Sequence, residues 1–249
     1  MEAYTGFAKV YDRFMDNVPY EEWCDYICEI LSSHGITKGL VLDLGCGTGK
    51  MTRLLKKRGY DMIGVDLSGE MLEIARDHED EGILYLQQDM REFELYGTVA
   101  AVVCVCDSIN YLLEEEELAQ VFSLVNNYLD PGGIFIFDMN TLYKYRDVIG
   151  DSTICENREH ESFIWENYFD EESSVNEYDL TLFVEQENGL FARYEEFHYQ
   201  RAYEIDEVEM LLKKSGMECL AVYGENTKEP PQKDCERVYF VAREHGKEL

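Results

Sequence analysis

Basic residues are scarce. The 249 residues hold 22 Lys and Arg against 52 Asp and Glu, a formal net charge of -30. A surface of that sign repels a phosphate backbone, so the composition argues against nucleic acid as substrate or partner. One cluster departs from it: Lys50, Arg53, Lys56, Lys57 and Arg58, spaced as on the solvated face of a helix. Long apolar runs are also missing. None reaches the ~20 residues that a membrane helix needs. Residues 1–20 contain no apolar signal core. A cytoplasmic location without membrane contact is therefore expected. The cysteines at 24, 28, 46, 104, 106, 155, 219 and 235 never form Cys-x-x-Cys, and no histidine completes a zinc pattern. No metal site is expected, and free thiols suit a reducing compartment. A homodimer stays open.

What is present is an apolar share of 45%, enough for a substantial core. Trp23, Ile27, Ile30 and Leu31 recur at helical spacing, and Gly35 supplies a stop. Residues 40–44 form a short apolar run that ends in a glycine cluster and reads as a buried strand. Strands at 60–66, 83–86, 99–106 and 134–137 follow. Between them lie helical stretches, one capped by Ser68 and one spanning 114–129 before Asp130-Pro131-Gly132-Gly133. Strands alternating with helices imply a doubly wound, mostly parallel α/β sheet. From residue 141 to 203 the period changes to alternation, with three candidate strands and a turn at Asn188-Gly189. This stretch reads as a small antiparallel sheet inserted between a main unit at 1–140 and its continuation at 204–249. A helix at 204–215 and strands at 217–223 and 237–242 complete a seven-stranded sheet.

The segment that carries the chemistry is Val41-Leu42-Asp43-Leu44-Gly45-Cys46-Gly47-Thr48-Gly49. Its glycines allow a sharp turn and close approach of a ligand to the backbone. In an open α/β sheet, ligands bind beyond the carboxyl ends of the strands, where this loop falls. Dinucleotide folds use G-x-G-x-x-G, whereas the spacing here is G-x-G-x-G with Asp43 two residues ahead. An acid beside the loop suits a ligand with cationic groups better than a pyrophosphate. Asp66 ends the second strand, where a carboxylate can accept two ribose hydroxyls. Asp89 follows the third, where it can accept an adenine amine, with Met90 and Leu67 supplying apolar contact.

Together VLDLGCGTG, VDLS at 65–68, QDM at 88–90 and PGG at 131–133 resemble the class I S-adenosylmethionine-dependent methyltransferases. The resemblance covers most of 36–140 and extends to the final helix and strand pair. It is closest to bacterial stand-alone members with an antiparallel insertion after the fifth strand. It implies a Rossmann-like fold, S-adenosylmethionine as cofactor, and transfer of a methyl group. Gly45, Cys46 and Gly47, with Asp43 beside them, would meet the methionyl and ribose part. Asp66 would hold the ribose, with Leu67 and Met71 near the adenine, and Asp89 and Met90 would bracket the adenine edge. Cys106 would approach the methionyl group through its backbone, and Tyr11, paired with Asp12, would fold over the cofactor.

Methyl transfer is an in-line displacement, so the protein chiefly aligns the acceptor and excludes water. Asp107, Asn110 and Tyr111, after the fourth strand, are the candidates to orient the acceptor. The alternative is that Asp107 and Asn110 cap the next helix. Amino-directed nucleic-acid methyltransferases resemble one another in an Asn/Asp-Pro-Pro-aromatic run here, and cytosine-C5 enzymes in Pro-Cys. The only prolines are 19, 131, 230 and 231, and they make neither motif. A small molecule is the expected acceptor, with a protein side chain or RNA less favoured. The inserted sheet would lie over it as a lid. Two other readings stay open: a nicotinamide-dependent oxidoreductase, which the glycine spacing opposes, and a non-catalytic module that binds the cofactor. His198, in the insertion, is either a base or a cross-strand surface residue.

Overall fold

The computed structural model of the chain describes residues 8–78 and 82–247. The outer limits drawn for the main unit, 1–7 and 248–249, lie outside them.

Two helices lead in, α1 (Ala8–Phe14) and α2 (Tyr20–Ser33). The alternating part follows as β1 (Leu40–Leu44), α3 (Lys50–Lys57), β2 (Asp61–Asp66), α4 (Gly69–Asp77), β3 (Ile83–Gln87), β4 (Val99–Cys104), α5 (Glu115–Tyr128) and β5 (Leu129–Asn140). The insertion holds β6 (Thr153–Asn157), β7 (Glu161–Asp170), β8 (Val175–Glu185) and β9 (Phe191–Arg201). The chain then returns through α6 (Ile205–Lys214), β10 (Met217–Gly224) and β11 (Arg237–Glu244). The main sheet has the order β10-β11-β5-β4-β1-β2-β3. Strands β1 to β5 pair in parallel, while β11 runs antiparallel to both β5 and β10. The inserted sheet has the order β6-β7-β8-β9 and is antiparallel throughout.

Period-two alternation sends successive side chains to opposite faces. Val41, Ala101, Val103, Ile134 and Ile136 pack with Ile27, Leu31 and Leu55 of α2 and α3. Leu42, Leu44, Val102, Phe135 and Phe137 pack with Val121, Phe122 and Leu211 of α5 and α6. Apolar burial on both faces explains why these strands read as continuous apolar runs. Asp43 is the exception in β1. It is 1% exposed, and Thr52 Oγ1 of α3 donates to its Oδ2 at 2.5 Å. Burial pushes its carboxyl up to about 7, with the Thr52 hydrogen bond opposing.

Four expectations need correction. The fifth strand begins at Leu129, not 134, because Leu129 pairs with Val99 across a bulge that holds Pro131 and Gly132. Gly133 lets the bulge close: a Cβ there would lie 3.0 Å from the Ala100 carbonyl oxygen. The insertion has four strands, not three. The extra one, β6, is five residues long and at the sheet edge, with little apolar signal. A single π turn at Lys144–Ile149 precedes it, burying Tyr145 and Ile149 where only alternation was expected. Helix α1 was not anticipated. Its Val10 and Phe14 pack on Leu180 and Leu182 of the inserted sheet, so seven residues suffice.

Arg237, at the start of β11, is a buried cation. It reaches Asp138 of β5 at 2.5 Å and Asp107, beyond β4, at 2.8 Å. It also lies 5.4 Å from the Trp23 ring centroid. Removing one partner of a buried ion pair strands the others. Arg237→Met is therefore expected to cost about 3–5 kcal/mol in urea-induced unfolding. Asp43 makes the opposite prediction. Its raised carboxyl contributes stability below the unfolded value of 3.8 and loses it as pH rises toward about 7. Asp43→Asn keeps an acceptor for Thr52, so its stability relative to wild type should climb by ~3–4 kcal/mol between pH 4 and pH 8. A pH-independent difference in the same denaturation series would contradict the buried assignment.

Candidate active site

The strand order reverses between β1 and β4, and a crevice opens at their carboxyl ends. It is a cavity of about 740 Å³. The glycine loop forms its floor. Gly45 and Cys46 both donate backbone N–H to the Val65 carbonyl, at 2.8 and 3.0 Å, which locks the loop to the end of β2. Gly45 has φ +78, and a Cβ there would lie 2.7 Å from Ser108 Oγ. At Gly47, φ is +53 and a Cβ would meet nothing within 4 Å, because this part of the loop faces open cleft.

Asp66 projects from the end of β2. Its Oδ2 accepts the Gly47 N–H at 2.7 Å and its Oδ1 the Ser68 N–H at 2.8 Å. Burial raises its carboxyl, and these backbone donors oppose the rise. Asp89 lies past β3 and is gripped by Arg91, whose Nη2 lies 2.6 Å away and whose backbone N–H donates at 2.8 Å. Arg91 holds that carboxyl below the ordinary range and binds Glu117 as well, at 2.5 Å. Arg91 and Glu117 were not anticipated. Only folding brings α5 to this corner.

On the far side of the glycine loop, Cys106 and Asp107 both have positive φ, 63 and 52. Two consecutive non-glycine residues in the left-handed region are strained. The Asp138 carboxylate holds them by accepting the Cys106 N–H at 3.2 Å and the Asp107 N–H at 2.8 Å. Burial raises the carboxyl of Asp138, with Arg237 opposing. For Asp107 the attraction of Arg237 and a hydrogen bond from Gln200 overcome burial and leave it below the usual range. Overhead, Thr48 Oγ1 donates to Asp12 at 2.7 Å and draws α1 onto the glycine loop. Tyr11 of α1 and Tyr20 are hydrogen-bonded to each other, and burial raises both phenols.

All eleven residues named above as cofactor contacts border this cavity: Tyr11, Asp43, Gly45, Cys46, Gly47, Asp66, Leu67, Met71, Asp89, Met90 and Cys106. Asp43 stands behind the loop, engaged by Thr52, instead of presenting an open carboxylate. The acceptor trio divides. Tyr111 borders the cavity, and Asp107 and Asn110 do not. Asn110 is fully buried. Its amide donates to the carbonyls of Asn140 and Arg201 at 3.2 and 2.8 Å, and its Oδ1 accepts the Asn140 N–H at 2.9 Å. It clamps backbone, and its polar groups are turned away from any acceptor. Asp107 is turned toward Arg237 and Gln200, and its side chain makes no helix-cap bond either.

Comparison with known proteins places this crevice in a family. A methyltransferase-domain family matches residues 41–133. A protein of Geobacillus sp. (strain WCH70), provisionally named a methyltransferase, is 36% identical over 245 residues, covering 97% of this chain and 99% of the relative. A dTDP-3-amino-3,4,6-trideoxy-alpha-D-glucopyranose N,N-dimethyltransferase of Streptomyces venezuelae is 32% identical over 133 residues, 53% of this chain and 56% of that one. The crystal structure of an S-adenosylmethionine-dependent methyltransferase from Clostridium acetobutylicum has a TM-score of 0.87 at 29% identity, covering 98% of this chain and 99% of the other. The likeness therefore extends beyond the nucleotide-binding half to the inserted sheet and the closing strand pair. On that shared length the chain belongs to the class I S-adenosylmethionine-dependent methyltransferases, enzymes that draw their methyl group from S-adenosylmethionine.

Proposed function

We propose that this enzyme methylates a small molecule, held where the cleft continues past the glycine loop to Tyr11, Tyr20, Cys106 and Tyr111. That continuation is the observation that carries the reading. The loops after β2 and β3 hold one end of the cavity, while the loop after β4 and α1 border the other. At about 740 Å³ the cavity falls in the range of small-ligand sites. The Streptomyces venezuelae relative is named for a nucleotide-linked amino sugar, which supports an acceptor of similar scale. The inserted sheet serves as a lid in this reading, since α1 packs between it and the glycine loop.

The residues present fit the cofactor. The open space above Gly47 leaves room for its methionyl and ribose part, and Asp66 keeps oxygen lone pairs beyond its backbone donors for the ribose hydroxyls. Leu67, 64% exposed at the cleft edge, and buried Met71 offer apolar contact to the adenine. Asp89, oriented by Arg91, retains acceptor capacity for the adenine amine. Bound there, S-adenosylmethionine supplies a methyl group already activated by its sulfonium. The chain's own part is alignment and exclusion of water. Phenols from α1, α2 and the 108–111 turn close the acceptor end, and the rigid turn at Cys106 fixes its wall. All eight cysteines are free, which supports a reducing cytoplasmic setting.

Asp66→Ala is expected to weaken S-adenosylmethionine binding by about 1–3 kcal/mol in calorimetric titration. Unchanged affinity would remove Asp66 from the ribose role. With methyl-labelled cofactor and a cell extract, label should pass into the low-molecular-weight fraction. Label confined to protein or RNA would overturn the small-molecule reading.

A further inference from the structure

Strand β9 inverts the usual alternation. Glu196, His198 and Gln200 point inward and are buried, while Phe197 and Tyr199 between them are each 43% exposed. Burying three polar side chains costs free energy unless each is hydrogen-bonded. Each is. Gln200 donates to Asp107 at 2.9 Å. His198 Nδ1 lies 3.1 Å from the Tyr111 hydroxyl, and His198 Nε2 lies 3.2 Å from Glu196 Oε2. Of these groups only Tyr111 borders the cleft. His198 and Glu196 are each 4% exposed and stand behind it.

The chemistry of the three groups fixes the direction of the chain. With Glu196 Oε2 as the acceptor, His198 Nε2 carries the hydrogen and Nδ1 presents its lone pair to Tyr111. Tyr111, which borders the cleft, then donates to Nδ1. Among the described residues, the other titratable group packed on the imidazole is Tyr178 of β8, with ring centroids 6.2 Å apart.

We propose that Tyr111, His198 and Glu196 form a proton relay that deprotonates an amine acceptor arriving as its ammonium ion. This rests on the small-molecule reading above. An ammonium nitrogen has no lone pair and cannot take a methyl group. The cleft lining carries Glu70 and Glu73 besides Asp66 and Asp89, against Lys50 and Arg91, a negative balance that favours the arrival of a cation. In the relay, one N–H bond of the acceptor breaks and its electron pair stays on nitrogen. The proton passes to Tyr111 Oη as the phenolic proton moves to His198 Nδ1. The resulting imidazolium is balanced by the Glu196 carboxylate. After product leaves, the proton returns by the same path to water in the cleft. Tyr111 is the group that touches the acceptor, and His198 and Glu196 act through it.

The test uses the whole protein, methyl-labelled S-adenosylmethionine and the small-molecule fraction that wild type labels. Tyr111→Phe and His198→Gln should each slow labelling about 100-fold or more at pH 7, and Glu196→Gln about 10-fold. In each variant that folds, cofactor affinity should stay close to wild type. The deficit should shrink as pH rises, because the free amine then forms in solution and needs no base. A loss equal at every pH, or rates within twofold of wild type, overturns the relay. Tyr111→Phe and Glu196→Gln preserve shape, so they carry the test even if His198→Gln fails to fold. A readout independent of turnover is the nitrogen spectrum of histidine-labelled protein. His198 should show the Nε2–H tautomer, and the Nδ1–H tautomer overturns the proposal. If wild type labels no small molecule, the functional reading fails first and the relay falls with it.

Discussion

One buried guanidinium ties together the strand ends and the turn after β4 that flank the crevice. Arg237 starts the last strand of the sheet, yet its side chain reaches back to the end of β5 and to the turn after β4. It offsets the charge of Asp138, and Asp138 in turn accepts the two backbone N–H groups of a left-handed pair, Cys106 and Asp107. That pair aims the following 108–111 turn, and with it Tyr111, into the crevice. Desolvating a cation and two carboxylates is costly, so the arrangement is weak support for stability and strong support for a fixed geometry. The strained turn survives because carboxylate and guanidinium over-determine it.

The inserted sheet is joined to this centre rather than appended to it. Gln200 bonds Asp107, and it accepts hydrogen bonds from Tyr145 and Tyr178. The amide of Asn110 grips the Arg201 carbonyl where β9 leaves the insertion. On its other flank the sheet carries α1, which reaches the glycine loop through Asp12 and Thr48. The inserted sheet thus stands behind the cleft, joined to the turn after β4 by polar contacts and to the glycine loop through a short helix. A change in the insertion has direct routes to the turn after β4.

Much of this was legible in the chain, and for identifiable reasons. The apolar runs at 40–44 and 99–106, bounded by glycine or helical period, announced buried parallel strands, the second of which ends at Cys104 because Cys106 and Asp107 turn into the left-handed region. The glycine loop and the acids at 66 and 89 sit at strand ends, so local sequence placed them at the crevice before any coordinates did. What could not be read depends on contacts distant in sequence. Nothing near residue 237 marks that arginine as the partner of residues 107 and 138. Asn110 looked like an acceptor ligand because its residue type suits the task, and only the fold reveals the two carbonyls it holds. Helix α1 spans about two turns and the π turn little more than one, below the length at which periodicity speaks. His198 gave a weak signal because a polar residue on an alternating strand is ordinarily placed outside.

That last point bears on how β9 finds its alignment. Pairing displaced by one residue would turn Phe197 and Tyr199 inward and send His198 to solvent. Apolar burial alone, about 1.5–3 kcal/mol for a large side chain, would reward the displaced pairing. The native register is held instead by directional bonds: the 186–190 turn, closed by Gln186 and Leu190, and the meeting of Tyr178 with Gln200. The outward aromatics are therefore the residue of a compromise, in which the strand gave up a better-oiled interior to keep an imidazole where a phenol can reach it.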